Sequence, residues 1–246
     1  MEKNFRCSGE YLAGRGAIGD VPALASTLFH HTCRVGLQEA GFSLLQLGRE
    51  WGSRALRQLM LDLLDELSIL CQSQQGRPLR VLSMSRFNQQ NTTRPHRDGG
   101  PAESLLLLGY EPTPIESRLS MVDYSACARD RGLTPMEFLD RHNPMFHSGR
   151  DVWADYTTNL AEFDSREFQV LLINNSSAGY DENDSHWQGV LHQATIPHPR
   201  EDAVRVVNSI QLTPDTSPQI TPITSDERRR FLTDDALGRQ YGRQPA

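Results

Sequence analysis

The chain has 246 residues, of which 37% are hydrophobic and 23% charged, and its formal net charge is -6. That is the composition of a soluble globular protein able to bury its own core, and a mildly acidic chain with no basic block is a poor partner for phosphate backbones, which disfavours nucleic acid. No run reaches the ~18 apolar residues of a membrane span, and the opening MEKNFRCSGEYLAGRGAIGD lacks the apolar stretch of a signal peptide, so a cytoplasmic location is expected.

In chain order, residues 1–20 are Gly-rich and read as irregular. Leu24, Leu28 and Val35 suggest a helix from Val21 to about Gln46, with breaks near Gly36 or Gly41. Trp51–Gln72 is the clearest helix. Its Leu56, Leu59, Met60, Leu63, Leu64 and Leu67 recur at the helical period, Arg57, Asp62 and Asp65 take the other sides, and Gly76 and Pro78 stop it. After Pro78 the pattern turns to strands: 80–90, LLLLGY at 105–110, FQVLLINN at 168–175 and AVRVVNSIQL at 203–212. A polar insertion at 115–160 holds one short helix, Thr134–His142, with Thr134 as its cap and Pro135 at its first position. The tail from Thr213 is extended at first, and Asp226–Tyr241 reads as a surface helix or as disordered, with no function placed there.

Helices first and strands afterwards predict an α+β fold. The whole chain reads as one domain: a helical part over 1–77, a β core over 78–212 interrupted by the 115–160 insertion, and a tail over 213–246. The four cysteines, Cys7, Cys33, Cys71 and Cys127, form no C-x-x-C pair and read as buried free thiols.

The chemistry centres on RPHRDGG, residues 94–100. On extended backbone, His96 and Asp98 point the same way and can offer one metal an imidazole and a carboxylate. Two histidines and a carboxylate with open positions opposite suit non-haem Fe(II). Alone, the pair reads equally as a surface turn between Pro95 and Gly99-Gly100. His192 ends a later apolar run, and Arg205 follows thirteen residues on, inside a β-branched strand. An arginine there needs an anion, which a dicarboxylate supplies to its planar fork; the bland alternative is a surface ion pair on an edge strand.

H-x-D, a His about a hundred residues on and an Arg beyond it together resemble the 2-oxoglutarate/Fe(II)-dependent dioxygenases, of the phytanoyl-CoA-hydroxylase-like branch or a related one. The resemblance covers roughly 78–212 and is densest at 94–110 and 187–212. It implies a double-stranded β-helix, of jelly-roll or cupin-like kind, with the N-terminal helices outside and the insertion as a helical lid. It implies that His96, Asp98 and His192 bind Fe(II), that Arg205 pairs with the distal carboxylate of 2-oxoglutarate, and that O₂ is consumed with release of succinate and CO₂. Because the acid is retained at Asp98, it implies hydroxylation or a related oxidation rather than halogenation.

The expected substrate is a small molecule, an amino acid or a natural-product intermediate. Ser83, assigned to cofactor binding, stands with Ser85, Arg86, Asn88 and Gln90 just before the metal motif. Arg150, Trp153 and Tyr156 are candidates for the lid. Arg118, Arg129, Arg131 and Arg141 hint at an acidic substrate. His186 competes with His192, while His142, His147 and the nearby Cys127 together offer zinc ligands that no ligand spacing supports. A peptide or protein hydroxylase, a non-catalytic cupin-like binding module and a zinc hydrolase are the alternatives.

Overall fold

The computed structural model describes residues 19–146, 152–179, 186–215 and 223–241. Helix α1 (Val21–Thr32) starts where the Asp20 carboxylate accepts the Ala23 amide at 3.0 Å. The expected continuation of this helix to Gln46 is replaced by strand β1 (Phe42–Gly48). Gly41, at φ +77°, makes the turn, and a Cβ there would stand 2.9 Å from Val190 Cγ1. β1 is apolar on both faces because both are covered, and such a run cannot be told from a helix by period.

Helix α2 (Ser53–Gln75) buries the expected leucine stripe and ends at Gly76 in the left-handed conformation. Arg57, expected on an outer side, is buried instead. It donates to the carbonyls of Phe231 at 2.9 Å and Asp234 at 2.8 Å, and to Asp235 Oδ1 at 2.8 Å.

The remaining strands are β2 (Leu79–Asn88), β3 (Leu105–Tyr110), β4 (Arg118–Val122), β5 (Thr157–Asn159), β6 (Phe168–Asn174), β7 (Leu191–Thr195), β8 (Val206–Pro214) and β9 (Arg239–Gln240). They form a six-stranded sheet, β1-β6-β3-β8-β2-β9, and a three-stranded sheet, β5-β4-β7, with every pairing antiparallel. The fold is α+β with antiparallel sheets, and it is not a barrel.

Alternation sorts the side chains into layers. Leu105 and Leu107 of β3 and Val170 and Leu172 of β6 join α1 and α2 on one side of the large sheet. Leu106, Leu108, Leu171 and Ile173 meet Leu119 and Met121 of β4 and Ala194 of β7 on the other. Two helices, α3 (Tyr124–Asp130) and α4 (Pro135–His142), pack with Trp153 over Val122 and Leu191, outside the small sheet. Thr134 caps α4, as its sequence predicts, and Glu137 completes a capping box.

The 115–160 segment is therefore more than a lid, since it supplies β4 and β5. Its strands escape notice in the sequence because β4 is short and starts on an exposed arginine. In the tail, helix α5 (Ser225–Thr233) buries Phe231, and β9 then lies along the edge of β2. Cys33, Cys71 and Cys127 are buried free thiols, as expected, and Cys7 lies outside the described residues.

Candidate metal centre

The two histidines are brought together by backbone. His96 donates its N–H to the His192 carbonyl at 3.0 Å, and His192 returns one to His96 at 2.9 Å. This single antiparallel bridge sets the 92–96 segment beside β7. Residues that exchange both hydrogen bonds project their side chains to the same face, and the ring centroids stand 4.2 Å apart. His192 shares its face of β7 with Ala194, so both imidazoles look between the sheets.

Asp98 completes the group. Its Oδ1 lies 3.6 Å from His96 Nε2 and 3.9 Å from His192 Nε2. These gaps are close to what ligands bonded at about 2.0–2.2 Å to one ion require. The three residues form the one such cluster of His, Cys, Asp and Glu among the described residues.

His96 Nδ1 sits 2.8 Å from the Arg94 carbonyl, which fixes the tautomer leaving Nε2 free to ligate. Burial pushes His192 down to about 4; His96 adds to the shift and Asp98 opposes it. Its imidazole is thus neutral at ordinary pH, the form that binds a metal.

The loop carrying Asp98 is exposed at Gly99 and Gly100 but is not free. Asn175, fully buried at the end of β6, accepts the Asp98 N–H at 2.8 Å and donates to the Asp98 carbonyl at 3.1 Å. Arg97 donates to the Asn175 carbonyl at 3.1 Å and to the Pro101 carbonyl at 2.8 Å. Gln211 of β8 donates to the Gly99 carbonyl at 2.5 Å. Asn175 is absent from the sequence-derived candidates. Its one signal is an amide side chain ending an otherwise apolar strand.

Arg205 is buried directly before β8, not exposed on an edge. Its Nε donates to Ser117 Oγ at 3.0 Å, and Nη1 donates to the Gln89 carbonyl and side-chain oxygen. Its guanidinium carbon lies 5.2 Å from the ring centroid of Tyr110. Nη2 is buried and makes no hydrogen bond of normal geometry.

The other buried arginines among the described residues all have carboxylates: Arg34 with Asp123, Arg57 with Asp235, Arg86 with Glu111. Arg205 has none. Burial pulls its pKa down, with Tyr110 opposing. Tyr110 is pushed up to about 12, first by burial, with Arg205 opposing and Asp98 adding, so the phenol is within electrostatic reach of both.

A cleft of about 580 Å³ opens beside Asp98, lined by Ser83, Ser85, Phe87, Ser209 and Gln211 and by the tail residues Gly238–Gln240. Ser83 stands here, six residues from Gln89. At about 3.3 Å per residue that is roughly 20 Å of strand from the contacts of Arg205, too far for one small dicarboxylate to touch both. Arg86 is spent on Glu111 and on the Asp235 carbonyl. Asn88 Oδ1 accepts the Arg205 N–H, and the Gln90 amide donates to the Ala203 carbonyl.

Trp153 does not cover Asp98. It lines a separate cleft of about 700 Å³ with Ser120 and Gln193, on the outer face of the small sheet, while Tyr156 bonds Asp130. His147 and Arg150 lie outside the described residues. Of the competing histidines, His186 bonds the Cys33 carbonyl at 3.0 Å and His142 lies tilted against the Phe138 ring. Cys127 bonds the Val152 carbonyl rather than facing a histidine. The chain matches no protein-family model and no curated protein.

Proposed function

We propose that this chain is an Fe(II)- and 2-oxoglutarate-dependent oxygenase that hydroxylates a small molecule on a jelly-roll type of sandwich, with release of succinate and CO₂. The observation that carries the reading is Arg205, a buried guanidinium that meets the neutral Ser117, Gln89 and Tyr110 side chains and has no carboxylate of its own. A cation in that state is costly unless an anion arrives, and a carboxylate offers two parallel acceptors to the guanidinium edge. A zinc hydrolase or an empty cupin-like module leaves that cost without a purpose.

The donor set of His96, Asp98 and His192 suits a non-haem ferrous ion. When bound, iron with 2-oxoglutarate and O₂ supplies the oxidising chemistry, and the chain supplies position and charge. Asp98 provides the one negative charge, and Asn175 fixes the backbone that presents it. Ser117 and Gln89 hold Arg205 in one orientation, and Tyr110, protonated far above neutral pH, is a hydrogen-bond donor next to it. Arg205 is buried, whereas Asp98 faces the open cleft.

The test is anaerobic titration with Fe(II) and 2-oxoglutarate, recording the weak visible charge-transfer band of the chelate. A band in the wild type that is lost in Asp98→Ala and weakened in Arg205→Ala supports the reading. A folded, metal-loaded protein without the band refutes it.

A further inference from the structure

The floor of the cleft beside Asp98 is built from uncharged hydrogen-bonding groups. Register places Ser209, Ser85 and Gln240 in one row across β8, β2 and β9, with Gln211 and Ser83 in the next. None of Ser83, Ser85, Ser209 or Gln240 spends its side chain on a described residue, so these groups remain available to a ligand. Phe87 adds an apolar wall.

The buried cation at the cleft is answered, and the other stands on its exposed rim. Arg86 is held by Glu111 at 3.1 Å, and Arg239 Nε faces Asp234 at 3.8 Å. Asp98 belongs to the metal group. Arg118, Arg129 and Arg141 pair with Glu116, Asp130 and Glu137 beside them, Arg131 bonds the Val152 carbonyl, and none of the four lines this cleft. Against the Ser85, Ser209 and Gln240 floor a charged group would lose its hydration without gaining a counter-charge.

The tail is fixed in place with some investment. Gly238 N–H bonds the Arg86 carbonyl at 2.8 Å, and Tyr241 N–H bonds the Met84 carbonyl at 2.7 Å. Tyr241 packs edge-on against Phe231, whose carbonyl takes the buried Arg57. Two buried arginines, Arg57 and Arg86, are spent on the backbone of 231–235, and the segment they hold leads directly into the wall of the cleft.

We infer that the substrate is an uncharged small molecule carrying several hydroxyl or amide groups, bound across Ser209, Ser85 and Gln240, with the C-terminal strand as a specificity-determining wall. The inference rests on the triad being the reacting centre, which makes the cleft beside Asp98 the substrate side.

The test is saturation-transfer NMR on the full-length, metal-free protein in EDTA. The probes are two neutral molecules, methyl β-glucopyranoside and N-acetylalanine methylamide, and two charged ones, N-acetylalanine as its carboxylate and alanine methylamide as its cation. Transfer to at least one neutral probe is expected to exceed transfer to both charged ones. It should weaken about two- to tenfold in Ser85→Val and, because Gln240 is exposed and its loss spares the fold, equally in Gln240→Ala. Preference for a charged probe, absence of transfer to both neutral ones, or transfer indifferent to Gln240→Ala overturns the inference. Since neither iron nor 2-oxoglutarate is present, failure here is separate from failure of the chelate band.

Discussion

Asn175 and Asp98 grip each other reciprocally: the Asn175 amide oxygen accepts the Asp98 N–H at 2.8 Å, and its amide nitrogen donates to the Asp98 carbonyl at 3.1 Å. The amide copies the pairing of a β-strand neighbour and converts an exposed glycine-flanked loop into a fixed support for a carboxylate. Groups that orient ligands in this way typically govern metal affinity by about 10–100-fold. Asn175→Ala is expected to weaken Co(II) or Fe(II) binding by that order while leaving 2-oxoglutarate dependence in kind. Metal titration followed by absorbance checks this, and an unchanged affinity would show that the loop holds itself.

Arg205 separates stability from function. Removing a buried guanidinium without a counter-charge relieves a desolvation cost, so Arg205→Met is expected to match or exceed the wild type in thermal stability of the ligand-free protein. The same change should weaken 2-oxoglutarate roughly thirtyfold or more while sparing the metal. Calorimetry in the absence of ligand and cosubstrate titration measure the two halves independently. A large loss of stability would mean that Ser117 and Gln89 alone justify the arginine.

The alkaline limit of the fold follows from three buried groups. Burial, the largest cause in each, raises Cys71 and Cys127 from 9.0 to about 11 and Tyr110 from 10.0 to about 12. For each, the folded state holds its proton to higher pH than the unfolded chain. The contribution to stability is complete below pH 9 and is lost as pH climbs toward 11 to 12. The melting temperature is expected to fall steadily across that window. Iodoacetamide at pH 8 should leave Cys33, Cys71 and Cys127 unmodified until denaturant is added, as peptide mapping will report.

Arg57 is the anchor of the tail. Arg57→Ala strips donors from the Phe231 and Asp234 carbonyls, at a cost of about 1–3 kcal/mol for the buried Phe231 carbonyl left unpaired. The expected outcome is a lower melting temperature together with faster carboxypeptidase trimming toward Ala236. If trimming is unchanged, the tail is held by β9 and Tyr241 alone.

Much of this arrangement was legible in the chain. The leucines of α2 and the cap at Thr134 speak through local rules, β3, β6 and β8 stand out as largely apolar runs between breakers, and β2 reads as a strand despite its many polar residues. What escaped was set by tertiary context. β1 hides because Leu44 and Leu45 are both buried, one against each layer, so period vanishes. The strand character of 118–122 is decided by pairing with Leu191–Thr195, far along the sequence. The convergence of His96, Asp98 and His192 follows their order and type, whereas Asn175 matters only because β6 ends where the Asp98 loop passes. The place of Gln240 in the cleft depends on Arg57, nearly two hundred residues earlier, and no local pattern in the tail records that.

The mutual hydrogen bonds of His96 and His192 join points about a hundred residues apart along the chain. An ion held by both imidazoles is thus a removable cross-link on a very long loop. Closing such a loop carries an entropy cost that grows only logarithmically with its length but is large from the outset. Three backbone bonds, His96 with His192 in both directions and Thr93 to Ala194, and the hydroxyls of Thr92 and Thr93 hold this seam in the absence of an ion. If the proposed ion binds, the resistance of the chain to proteases is expected to rise with its occupancy.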